Sequence, residues 1–365
     1  MTPAAHPTGF TIRRGYIAAT LKVGVLTAGG DCPGLNAVIR AVVRRSLAAG
    51  HEPVGLWRGY AGLTERSYVE LDMRAVSGIL HLGGTIVSTS SYDPFRHEDG
   101  VEQVLSAVEE DAFDAIIAIG GEHTMMITRR LYEEHGLPLV GVPKTIDNDV
   151  RCTDFTFGFD TAVQVATDAI DRIHTTAQSH DRVMIVEVMG RNAGWIAVFA
   201  GIAGGADAIL IPELELTVED VAAAIARRHE RGKDFSIIVV AEGAELAFAS
   251  GERRLIRASD EVDTYGYPRL GGIGAALAVE IEQRTGYETR VTTLGHVQRG
   301  GTPTATDRLL ATRYGVHAAD LVMAGESGCM VAIHGPEMTS IPLEEVDGIK
   351  TVDLRYLEIA KTFFG

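Results

Sequence analysis

No stretch of this sequence approaches about 18 uninterrupted apolar residues, so nothing in it reads as a membrane-crossing helix. Cysteine is scarce: Cys32, Cys152 and Cys329 stand apart without CxxC spacing. That argues against a disulfide framework or zinc site and suits a reducing cytoplasm, the expected location. Positive charge is in deficit, the formal net charge being −16. Nucleic acid and anionic membranes are therefore not expected as partners. Small anions stay open, because local basic clusters capture them whatever the total. The N-terminus, MTPAAHPTGFTIRRG, lacks the apolar centre of a signal peptide, and residues 1–20 read as a flexible extension. There is no internal repeat, no low-complexity tract, no GxGxxG and no Walker GK[ST].

What is present is 365 residues, 46% hydrophobic with 41 glycines. This is an α/β composition in a chain long enough for two domains. Short apolar runs alternate with helical spacing. The runs are KVGVLT (22–27), PVGLW (53–57), FDAIIAI (113–119), RVMIVEV (182–188), DAILIPE (207–213), SIIVVAEGA (236–244) and CMVAIHG (329–335). Helical patterns start near Asn36 and after Thr124, with Asp160 or Thr161 placed to cap a third. Further ones follow in TVEDVAAAIARRHERGK, GGIGAALAVEIEQRTG and ATDRLLATRYGVHAADLVM. The charged stretch 250–269 reads as a surface loop. Strand ends at Gly29, Gly120 and Pro143 open into polar or glycine-rich loops, which in a doubly wound sheet line one ligand crevice.

Residues 139–149, LVGVPKTIDND, organise the rest. If Lys144 to Asp149 stays extended, Thr145, Asp147 and Asp149 point the same way. Two close carboxylates suit metal binding or a base beside a charged substrate; a solvated turn is the alternative. The loop AGGDCPGLNAVIR offers backbone N–H groups to phosphate, or is purely structural. Arg182, Arg191, Arg290, His296 and Arg299 crowd the loops of the second half. Each arginine alone could be solvated, but together they suit a phosphorylated acceptor facing a donor on the glycine side.

GGDCPGLNAVIR, GGEHT, PKTIDND, VEVMGRNAGW, AEG and ETRVTTLGHVQRGGTP together resemble the phosphofructokinase family, in its order and spacing, over roughly residues 21–335. The resemblance implies two doubly wound Rossmann-like domains with the active site in the cleft between them. The phosphoryl-donor domain would comprise 21–158 plus about 298–335. The sugar-phosphate domain would comprise 159–297 plus about 336–365. The implied reaction is magnesium-dependent phosphoryl transfer to the 1-hydroxyl of fructose 6-phosphate, giving fructose 1,6-bisphosphate.

By position, the resemblance makes Asp147 the general base and Thr145 a hydrogen-bond partner of the transferring group, with Asp149 beside them on the sugar. Glu122 falls at the acidic magnesium contact. Met189, Gly190, Arg191 and Glu242 match the sugar-binding set. His296 and Arg299 match the 6-phosphate contacts, joined by Arg182 and Arg290 from a neighbouring subunit, which implies a homodimer or homotetramer. Gly30, Ser91, His123, Thr124 and Lys144 fall on the donor side.

That side departs from the usual pattern. Lys144 replaces the glycine of ATP-using members and is the mark of pyrophosphate users, since it fills the space of a nucleotide α-phosphate. His123 stands where those users have aspartate, and Ser91 where the family has an arginine. Pyrophosphate is the expected donor and ATP the alternative. A different ketose phosphate, or sugar-phosphate binding without catalysis, are further alternatives.

Overall fold

Uninterrupted apolar runs become the central strands, because a parallel strand covered on both faces has no solvent side to mark with polar residues. Ala115–Gly120, Val183–Val188 and Ser236–Ala241 are buried at every position. The computed structural model describes residues 20–262, 268–362 and 364; the expected N-terminal extension lies outside them apart from Thr20.

The chain clusters into two compact units. The first takes the described residues up to Thr145, with Val150–Gly158 and Gly300–Gly348. Its sheet runs Glu337–Pro342, Cys329–His334, Leu139–Thr145, Ala115–Gly120, Lys22–Thr27, Glu52–Leu56, Tyr68–Glu70. The inner neighbours are parallel and the two outermost strands antiparallel. Glu337–Pro342 pairs back onto Cys329–His334, so this unit extends to Gly348 rather than to about 335. The two-residue strand Phe157–Gly158 pairs with Lys144 and Thr145.

The second unit comprises Ile146–Asp149, Phe159–Arg299 and Ile349 onward. Its sheet is parallel, in the order Thr289–Thr293, Val183–Val188, Ser236–Ala241, Ala208–Leu210. The run 207–213 yields only Ala208–Leu210, because Pro212 cannot donate to a ladder. Thr217 and Asp220 form a reciprocal capping box that starts the helix Val218–Glu230. The long helix Phe159–His180 begins directly after Gly158 (φ 97°), so Asp160 and Thr161 lie inside its first turn rather than capping it. The described residues of the stretch 250–269 are no plain loop; residues 263–267 lie outside them. Glu245–Ala247 pairs with Arg253–Leu255, and Arg257–Val262 with Pro268–Leu270. Arg253–Leu255 is exposed at every position, and such a strand needs no apolar face, which is why the sequence gives no strand signal there.

Candidate active site

Three strands of the first unit set out the donor-side residues. Lys22–Thr27, Ala115–Gly120 and Leu139–Thr145 are adjacent and parallel, so Gly30, Glu122 and Lys144 emerge at one carboxyl edge. The hydroxyl-rich loop is drawn to that edge. Gly29 N–H donates to Ser90 O at 2.9 Å, and Thr89 Oγ1 donates to Gly29 O at 2.7 Å. Asn36, in the glycine motif, donates to Leu82 O and Gly83 O at 3.1 Å each and accepts from Ile86 N–H at 2.9 Å. Gly34 is structural: its φ is 108°, and a Cβ there would lie 2.8 Å from Phe157. Ser91, half-buried, follows this stapled loop.

Lys144 is only 3% exposed, and its ammonium donates to the backbone oxygen of Gly30. A buried ammonium needs such an acceptor to offset its lost hydration. Glu122 opens the helix Glu122–His135, where the dipole favours a carboxylate. Next to it, His123 Nε2 lies 3.3 Å from Asp93 Oδ2. Burial pushes the Asp93 carboxyl up, but the His123 hydrogen bond, the Phe95 N–H and the charges of His123 and Arg96 outweigh it, leaving Asp93 below its ordinary value. Asp93 escaped the sequence reading: its only local signal is an Asp-Pro turn, in which Oδ1 accepts from Phe95 N–H at 3.0 Å. Thr124, like Lys144, is 3% exposed, and it packs against Gly120.

Among the described residues no group of three or more His, Cys, Asp or Glu side chains is placed to hold a metal by itself. A single carboxylate at the edge, Glu122, fits magnesium that takes most of its oxygens from phosphates and water.

From Thr145 to Val150 burial alternates: Ile146, Asn148 and Val150 are buried, while Thr145, Asp147 and Asp149 are partly exposed. The segment does not stay extended, however: the strand ends at Thr145, and Asn148 sits at φ 50°. Asparagine is among the few residues that tolerate this left-handed conformation.

On the second unit, Val188 and Ala241 are in register, so Met189–Arg191 and Glu242 leave neighbouring strands at one edge. Glu242 N–H donates to Val188 O at 2.9 Å and Gly243 N–H to Gly190 O at 3.1 Å. The loops approach so closely that a Cβ on Gly243 would fall 1.8 Å from Arg191 O. Gly190 itself turns at φ 135°. Burial pushes the Glu242 carboxyl up to about 7, helped by the negative charge of Asp147, while Arg191 and Arg299 pull the other way. Asp147, Arg191, Glu242 and Arg299 therefore form one electrostatic cluster. His296 and Arg299 stand on the short 3-10 helix Gly295–Arg299, the first exposed and the second half-buried.

Two helix N-termini nearby are already occupied by carboxylates of the chain. Glu187, 2% exposed, accepts from Gly272 and Gly274 N–H at 3.0 and 2.8 Å. Both oxygens of Glu213 accept from Gly194 N–H at 3.0 Å.

Arg182 and Arg290 lie at the opposite edge. Arg182 precedes Val183, and Arg290 is paired in register with Met184. The strand Val183–Val188 places about 20 Å between them and Met189. Glu288 Oε1 holds both: Arg182 Nη2 approaches it at 2.9 Å and Arg290 Nη2 closer still. Those two ion pairs keep the Glu288 carboxyl below its ordinary value. So the sequence reading grouped four arginines that one protomer does not bring to one edge.

The phosphofructokinase family profile matches residues 22–322. The chain is 51% identical over 347 residues to the pyrophosphate–fructose 6-phosphate 1-phosphotransferase of Streptomyces coelicolor, covering 94% of this chain and all of the relative. It is equally 51% identical, over 346 residues, to ATP-dependent 6-phosphofructokinase 3 of the same organism, covering 93% and 98%. Among solved structures, T-state Pichia pastoris phosphofructokinase is similar with a TM-score of 0.77 and 32% identity. That similarity covers 94% of this chain and 37% of the yeast chain, so this chain spans little more than a third of the yeast one. No helix among the described residues is long and apolar enough to cross a membrane.

Proposed function

The chain belongs to the phosphofructokinase family, and from that premise we propose that it transfers a phosphoryl group from pyrophosphate to the 1-hydroxyl of fructose 6-phosphate. It is a phosphotransferase. Asp147 takes the hydroxyl proton as the new phosphorus–oxygen bond forms, the bridging bond of pyrophosphate breaks, and inorganic phosphate leaves. Thr145 hydrogen-bonds the transferring group. Asp149, Met189, Gly190, Arg191 and Glu242 hold the sugar. His296 and Arg299 bind its 6-phosphate, completed by Arg182 and Arg290 of a neighbouring subunit in a dimer or tetramer. Glu122 contacts magnesium, which when bound neutralises charge on the donor oxygens.

The donor assignment rests on Lys144. Overall identity does not separate the donors, because relatives named for pyrophosphate and for ATP are equally similar. The observation that favours pyrophosphate is the burial of Lys144 and its bond to Gly30. It supports a pocket sized for the shorter donor, with the His123–Asp93 pair beside the neighbouring strand end. Incubation with fructose 6-phosphate, magnesium and pyrophosphate, followed by phosphorus NMR, should show fructose 1,6-bisphosphate and inorganic phosphate in equal amounts. Preferential turnover of another ketose phosphate would sink the acceptor assignment.

A further inference from the structure

We propose that Lys350 is a positioning residue that sets the direction of the Asp147 carboxylate through the turn at Asn148. The inference rests on the reading of Asp147 as the base. Asn148 is left-handed, which asparagine tolerates, and fully buried, so its side-chain amide needs partners that fix the turn. Lys350 supplies that constraint on both sides of the peptide. Its Nζ donates to Asn148 Oδ1 at 3.0 Å, and its backbone N–H donates to Asp149 O at 2.8 Å. Lys350 is itself fixed, since Trp195 Nε1 donates to its carbonyl at 2.9 Å and its ammonium sits 5.2 Å from the Trp195 ring centroid.

The same short segment reaches the sugar loop. Val352 N–H donates to Glu213 Oε1 at 2.9 Å, and Glu213 receives Gly194 N–H at the end of the loop that carries Arg191. Residues 350–352 thus tie the base turn and the sugar loop to one brace about 200 positions downstream of Asn148. Asp147 stands directly before Asn148 in the chain. Loss of the Nζ–Oδ1 hydrogen bond loosens the Asn148 turn and so redirects the segment on which the base is mounted. Reactions of this kind lose up to about 100-fold for displacements of an ångström.

The test compares Lys350→Met and Lys350→Arg in the full chain, using fructose 6-phosphate and pyrophosphate. Methionine removes Nζ but keeps both backbone hydrogen bonds and the apolar stem against Trp195. Its kcat should fall about 10–100-fold with the acceptor KM changed less than about threefold, and arginine should restore most of the loss. Amide exchange at residues 146–149 should accelerate in the methionine variant, a readout that needs no turnover. Unaltered kcat, unaltered exchange, or a rise in KM without a fall in kcat would each overturn the proposal. Failure of the underlying reading shows elsewhere: Asp147→Ala would then retain wild-type turnover.

Discussion

The Lys144 ammonium donates to the carbonyl oxygen of Gly30, 114 residues earlier in the chain. One strand end and the glycine loop of its neighbour but one are joined by this side chain. Replacing Lys144 and His123 together by glycine removes the bulk of both. The double variant should gain measurable ATP-dependent turnover and lose about 100-fold or more with pyrophosphate, by analogy with the loss of other charged donor contacts. No gain with ATP and no loss with pyrophosphate would refute the steric account.

Asp147 is predicted to act on the proton and not on affinity. Asp147→Ala should lower kcat by about 10²–10⁴-fold, the usual scale for general base catalysis. Binding of fructose 6-phosphate, measured by calorimetry, should change little. Turnover within a factor of two of wild type would remove Asp147 from the mechanism.

Glu242 gives a pH dependence with a definite sign. Its folded value of about 7 lies above the ordinary 4.5. Its contribution to stability is therefore complete below pH 4.5 and is lost as pH rises through 7. Above that, an ionised carboxylate sits desolvated beside Asp147. Glu242→Gln cannot ionise, so the thermal midpoint of the variant relative to wild type should rise between pH 5 and pH 8, without substrate. A difference that stays constant across that range contradicts the assignment.

Arg182 and Arg290 make a prediction about subunits. They share Glu288 at the edge opposite Met189, so one protomer cannot turn them onto its own acceptor site without unfolding the strand that separates them. Arg182→Ala should raise the acceptor KM several-fold at nearly constant kcat. Mixing inactive Asp147→Ala subunits with Arg182→Ala subunits should produce hybrids with recovered low-KM activity. Hybrids no better than the average of the parents would mean that the arginines do not act across subunits.

The central strands were legible because burial on both faces leaves continuous apolar runs such as Ala115–Gly120. Edge strands were not: Glu337–Pro342 is half exposed, carries no such run, and so shifted the expected domain boundary. The site divided in the same way. Motif spacing singled out Asp147, Lys144, Arg191 and Glu242 as candidates. The Asp93–His123 pair, the Glu288 clamp and the Lys350 brace are long-range or oppositely charged partners that leave no periodic trace. Sequence position beside a strand also does not say which edge of the sheet matters, which is where Arg182 and Arg290 part from Arg191 and Arg299.

The most direct test of the central claim is the ratio of kcat/KM for pyrophosphate to that for ATP in the wild-type protein, with fructose 6-phosphate and magnesium in parallel assays. The account predicts a ratio of about 100 or more, as discrimination by a filled pocket and an unpaired charge together would give. A ratio near or below one would mean that a nucleotide passes Lys144 and His123, and the donor assignment would fall.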